Sequence, residues 1–141
     1  MRARTVIRRV PLELSCPGLA CPVSFDFISD IHLRHDAGFE AFRRATATPG
    51  RDTLLLGGDY AEREEYIAPL FAHLAARYRR VLAVWGNNDH RYRRAIEAAA
   101  VATGIRLLCD EIVDLDGLSL LGTADPADFR PSLPVIPPAP C

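Results

Sequence analysis

The stretch DTLLLGGDY, residues 52–60, runs from Thr53 through three leucines and then stops on two glycines and an aspartate. Nothing in the run alternates with polar residues, which is the pattern of a strand covered on both faces, as in a parallel sheet. Gly57 and Gly58 allow a sharp turn at the strand exit. Asp59 is delivered at that exit.

The same pattern recurs on either side. Upstream, in VSFDFISD, residues 23–30, Val23, Phe25 and Phe27 alternate before Ile28. This predicts a strand that carries Ser29, Asp30 and His32 into a loop. Downstream, RVLAVWGNND, residues 80–89, predicts a third strand that breaks at Gly86 and releases Asn87, Asn88 and Asp89, with His90 next. Between the strands, AGFEAFRRAT sets Phe39 and Phe42 at helical spacing, with Pro49-Gly50 as its stop. Residues 64–78 place Ile67, Leu70, Phe71 and Leu74 on one helical face, with Pro69 in the first turn. RRAIEAAAVATG predicts a helix ended by Gly104, IRLLC a short strand, and EIVDLDGLSLLG a hairpin turning at Asp116-Gly117. At the start, TVIRRVPLEL reads as an edge strand closed by the turn-rich SCPGLACP. The order β-α-β-α-β-α-β plus a hairpin predicts an α/β domain with a largely parallel first sheet.

The 141 residues suit one domain, expected over residues 1–125, followed by a Pro-rich tail over 126–141 that cannot form helix or central strand. Hydrophobic residues at 49% and charged residues at 25% are those of a packed globular chain. A net charge of −1 gives no bulk attraction to nucleic acid or anionic membrane, so no nucleic-acid partner is predicted. All 17 basic residues are arginine. Cys16, Cys21, Cys109 and Cys141 lack the paired spacings of a zinc site and read as free thiols of a reducing cytoplasm. The N-terminus shows no secretion signal, and no apolar run approaches the roughly 20 residues that span a bilayer. The expected location is cytoplasmic, with peripheral membrane association as the variant.

Asp59 follows Asp30 by 29 positions, and Asn87 follows Asp59 by 28. Each interval is about one crossover unit, so the three polar loops land on one edge of the sheet, where open α/β sheets bind ligands. Two carboxylates, an imidazole and an amide oxygen then converge, a donor set suited to Mn²⁺, Fe²⁺ or Zn²⁺. Asp59, central in the series, can bridge two ions about 3.5–4 Å apart. Taken one at a time, Asp30, Asp59 and Asn87 also suit simple helix caps.

With D-x-H at Asp30 to His32, G-D at Gly58-Asp59 and G-N-N-D at residues 86–89, the chain resembles the N-terminal half of a calcineurin-like metallophosphoesterase. That family carries D-x-H, G-D and G-N-H-[DE] at the ends of strands in a βαβαβ core. The likeness covers Phe25 to Asp89, and the opening is similar to a bacterial branch that is often membrane-anchored. It implies a core truncated before the second sheet is complete, and hydrolysis of a phosphomonoester, phosphodiester or pyrophosphate by a metal-bound hydroxide. It further implies two divalent ions, with Asp30 and His32 on the first, Asp59 bridging and Asn87 on the second. A phosphate ester is the implied substrate.

Two positions depart from the family pattern. Asn88 stands where the family has the histidine that protonates the leaving group, and an amide cannot give up a proton near neutral pH. Asp89 matches the acidic position that supports that histidine, and His90 is the nearby substitute, so these two are the candidate catalytic residues. Beyond His90 there is no further histidine to match the family's downstream ligands. A catalytically inactive remnant that keeps at most a weak metal or interaction site is therefore the alternative, and a homo-oligomer that supplies ligands from another chain is a third.

His35 reads as a solvated loop residue and His73 as structural. Arg91, Arg93 and Arg94 form either a solvated face or a phosphate clamp. Trp85 reads as core.

Overall fold

The computed structural model describes residues 10–123. The first sheet holds four parallel strands in sequential order: β1 (Asp26–Ile28), β2 (Thr53–Leu56), β3 (Arg80–Ala83) and β4 (Arg106–Leu107). Helices α1 (Asp36–Ala45), α2 (Ile67–Ala75) and α3 (Arg93–Thr103) make the crossovers. The antiparallel pair β5 (Glu111–Leu115) and β6 (Leu118–Gly122) forms a second, small sheet.

The two faces of β2 explain the layering. Leu54 and Leu56 join the helix-side core with Phe42, Leu70, Phe71, Leu74 and Ile96. Leu55 points the other way and packs with Leu82, Leu108, Val113 and Leu115 under the hairpin. All four β2 residues are buried, and each fully buried leucine contributes roughly 1.5–3 kcal/mol relative to an exposed one. The unbroken apolar run of β2 follows from having a layer on both sides.

Among the described residues, β1 has only one covered side. Ile28 packs on the helix-side core, whereas Phe25 is 36% and Phe27 65% exposed. Val23 packs against the hairpin-side cluster, while the two aromatics of this segment point outward. Residues 10–14 form no strand. The expected edge strand fails there because Val10, Leu12 and Leu14 are all highly exposed, with no sheet neighbour among the described residues. Its first residues lie outside the described ones, as does the whole Pro-rich tail, Cys141 included.

The ends of α1 and α2 differ from expectation for local reasons, whereas α3 ends where expected. α1 stops at Ala45, ahead of Pro49-Gly50, with Thr46 as cap. The Thr46 hydroxyl donates to the Phe42 carbonyl at 2.8 Å, and such back-bonding competes with the backbone ladder. His35 is the N-cap of α1, its Nδ1 accepting the Gly38 N–H at 2.9 Å. The segment 64–78 divides into a 3-10 turn at Glu64–Tyr66 and α2. Pro69 sits in the first turn of α2, where its missing N–H is tolerated. α3 ends at Gly104, left-handed at φ 74°. The hairpin turn places Asp116 at φ 53° and Gly117 at φ 92°, both positive as a tight two-residue hairpin turn demands.

Candidate metal centre

The first two loops are joined by backbone hydrogen bonds that extend the β1–β2 pairing past the strands. Gly57 N–H donates to Ile28 O, Asp30 N–H to Gly58 O, His32 N–H to Asp59 O and Leu33 N–H to Tyr60 O, over 2.9 to 3.2 Å. Glu62 N–H closes the run on Leu33 O at 2.9 Å. This zipper places Asp30 and His32 opposite Asp59.

One ligand atom from each of Asp30, His32 and Asp59 lies within 4.8 Å of the others. His32 Nε2 is 3.8 Å from Asp30 Oδ1 and 4.0 Å from Asp59 Oδ2. Among the described residues this is the one group of three histidine, cysteine or acidic side chains gathered so closely. Two carboxylates and an imidazole facing a common point fit a divalent ion of the Mn²⁺, Fe²⁺ or Zn²⁺ type.

These three residues share a backbone signature: φ is 54° at Asp30, 46° at His32 and 57° at Asp59. The left-handed region costs a non-glycine residue on the order of 1 kcal/mol. The fold thus holds each of them in a conformation that local preference opposes. Gly58, at φ 92°, adds a fourth left-handed position. A Cβ on Gly86 would overlap the Asp59 amide and carboxylate, so the third loop can approach Asp59 only without a side chain at 86.

That third loop is docked on the second by Asp89. Its Oδ2 accepts the N–H groups of Asp59 and Gly86, each at 2.8 Å, and its Oδ1 accepts that of Tyr60 at 3.0 Å. Asp89 is 1% exposed. Burial raises its pKa above the usual carboxylate value, against the lowering effect of those three N–H donors. The carboxylate is fully engaged by backbone donors, so its structural work is to hold the loops together. Tyr60, also fully buried, donates to Val84 O, and its pKa is pushed well up by burial, then by Asp89 and Asp59.

Asn87 lies exposed in the turn beside this junction, and the neighbouring Asn88 N–H donates to Asp59 Oδ1 at 3.0 Å. His90 stacks on Trp85 with ring centroids 6.1 Å apart and planes 15° off parallel. Arg93 lies over the other partner of that stack, 5.4 Å from the Trp85 ring. Arg91 reaches the Asn88 amide oxygen at 3.1 Å and the Glu62 carboxylate at 3.7 Å. Trp85 packs partly buried on the helix-side core. His73 is remote from the centre, buried between α1 and α2, with Nε2 2.8 Å from the Thr46 hydroxyl.

Glu62 is a participant that pattern reading missed. Its Oε1 sits 2.6 Å from His32 Nδ1. That bond, then the charges of His32, Arg34 and Arg91, hold its pKa below the usual value despite partial burial. The only sequence cue is its position three residues past Asp59.

No helix among the described residues is long and apolar enough to cross a membrane. Cys16, Cys21 and Cys109 are free and exposed.

No curated protein matches the sequence. Among solved structures, a phosphopantetheinyl hydrolase from Mycobacterium tuberculosis is similar at 19% identity and a TM-score of 0.53, over 71% of this chain and 41% of that one. At that identity the likeness speaks for the fold, and the chain spans well under half of that enzyme's length. The family model for calcineurin-like phosphoesterases matches residues 23–126, which include all three loops and the hairpin. The chain belongs to the calcineurin-like phosphoesterase family.

Proposed function

We propose that this chain is a metal-dependent phosphoesterase acting on a phosphomonoester, phosphodiester or pyrophosphate bond. The observation that carries the reading is the convergence of Asp30, His32 and Asp59 within 4.8 Å, each in a left-handed conformation. Family membership supports it.

In this reading Asp30 and His32 would hold one ion, Asp59 would be shared between two, and Asn87 would hold the second. When bound, Mn²⁺, Fe²⁺ or Zn²⁺ supplies Lewis acidity and lowers the pKa of water. The chain supplies the rest. Asp89 sets the spacing of the second and third loops. Arg91, steadied by Asn88, offers a guanidinium to phosphoryl oxygens. His90, held flat on Trp85, is the group assigned to move the leaving-group proton. Free thiols at Cys16, Cys21 and Cys109 suit a cytoplasmic setting.

The test is metal content of the purified protein together with hydrolysis of p-nitrophenyl phosphate and bis-p-nitrophenyl phosphate under added Mn²⁺. Bound metal and Mn²⁺-dependent turnover, both lost in Asp59→Asn, are expected. Undiminished turnover in Asp59→Asn would sink the proposal.

A second reading is a metal-holding module without turnover. It is favoured by the single three-ligand group among the described residues, enough for one ion. Metal bound with no hydrolysis of either ester would favour it.

A further inference from the structure

Glu62 is fastened through both of its backbone polar groups. Its N–H donates to Leu33 O at 2.9 Å, and its carbonyl accepts the Tyr92 hydroxyl at 2.8 Å. Leu33 and Ala61 form a parallel bridge immediately before it. The side chain, 23% exposed, is thereby aimed at the imidazole of His32, with Oε1 2.6 Å from Nδ1. Arg34 and Arg91 flank the same carboxylate at 3.9 and 3.7 Å.

An ionised carboxylate only accepts hydrogen bonds, so the ring nitrogen facing it carries the hydrogen. In a neutral imidazole the other nitrogen then keeps its lone pair. That nitrogen is Nε2, the one facing Asp30 and Asp59. Without such a partner a neutral imidazole is free to place hydrogen on Nε2, which would aim N–H at the ion, and to rotate about its side-chain bonds. Carboxylate partners of ligating histidines fix the tautomer and ring orientation in this way.

We propose that Glu62 is the positioning residue of His32, holding the Nδ1–H tautomer so that Nε2 is the donor to the ion. The proposal rests on the metal-centre reading given under Proposed function, and extends the working site to a residue outside its three loop motifs.

The test uses the full chain, metal-free and at pH 8, with ¹⁵N-labelled histidine. His32 should show the Nδ1–H tautomer in wild type and a shift toward Nε2–H in Glu62→Ala. Calorimetric titration with Mn²⁺ should show a 10- to 100-fold loss of affinity in Glu62→Ala. Glu62→Gln, which keeps an acceptor oxygen, should recover the tautomer and part of the affinity. Unchanged tautomer and affinity in Glu62→Ala overturn the proposal while leaving the metal centre standing. If that variant does not fold, the wild-type tautomer decides, because Nε2–H there overturns the proposal alone. Absence of Mn²⁺ binding in wild type overturns the metal-centre reading, and the proposal falls with it.

Discussion

The backbone N–H of Asn88 donates to Oδ1 of Asp59 across 3.0 Å, so the third loop hangs on the same carboxylate whose other oxygen faces His32. One side chain therefore joins the architecture of the loops to the ligand geometry. Changes at the junction are expected to appear in stability and in metal affinity together, whereas changes at Asp30 should separate the two.

Asp30 is left-handed, and its side chain is 68% exposed. Asp30→Gly removes the conformational cost and one of the two facing carboxylates. The metal-free variant should be more stable by about 0.5–1 kcal/mol in urea unfolding, while Mn²⁺ binding is lost. A destabilised variant would show that the left-handed backbone at this position is not strained.

Asp89 accepts three backbone N–H groups while almost fully buried. Asp89→Asn keeps the shape but turns an N–H₂ toward those donors. A loss of about 2–3 kcal/mol is expected, since hydrogen bonds to a charged acceptor are the strong ones and a buried donor left unpaired is costly. Chemical denaturation with and without saturating Mn²⁺ would measure it, and the metal should return only part of the loss.

Gly86→Ala places a methyl group against the Asp59 amide and carboxylate. Those atoms are held by Asp89 and Asn88 and cannot retreat without breaking bonds. The expected cost is about 1–3 kcal/mol, with a weaker Mn²⁺ titration than wild type. An unaltered titration would mean that the loops separate without harm to the ligands.

His73 gives a pH dependence independent of the metal centre. The Thr46 hydroxyl spends its hydrogen on Phe42 O, so His73 Nε2–H donates to Thr46 and the buried ring is neutral. Burial, then Arg77 and Arg43, lowers its pKa from 6.5 to about 4. The unfolded chain therefore binds the extra proton first as pH falls, and stability drops between about 6.5 and about 4. Thermal unfolding followed from pH 7 to pH 4 should show this decline, and His73→Gln should flatten it.

The parallel core was readable because its signals are local. Thr53 to Leu56 must be a doubly covered strand, and acidic residues directly after strands must sit at the sheet edge. Other features were invisible for equally physical reasons. Alternation at Val23, Phe25 and Phe27 marks a strand but not which face finds a cover, and Phe27 finds little among the described residues. Asp89 looks like chemistry because it is a carboxylate in a polar loop. Only the approach of the Asp59, Tyr60 and Gly86 amides, two of them 29 or 30 positions away, shows what occupies it. Glu62 pairs with His32 across 30 positions, and no periodicity marks such a contact. His35 as a cap was hidden because histidine is an uncommon capping residue.

The outer side of β1 has no strand partner among the described residues, and Phe27 lies bare beside it. An open apolar edge is a template on which further chains can polymerise. Here the strand offers only three residues, Asp26–Ile28. Asp26 Oδ2 is drawn inward, accepting the Gly50 N–H at 2.7 Å and the Tyr78 hydroxyl at 2.9 Å. Brevity and an anchored acid limit what an incoming chain can copy, so this edge, bare among the described residues, offers little to nucleate fibre growth.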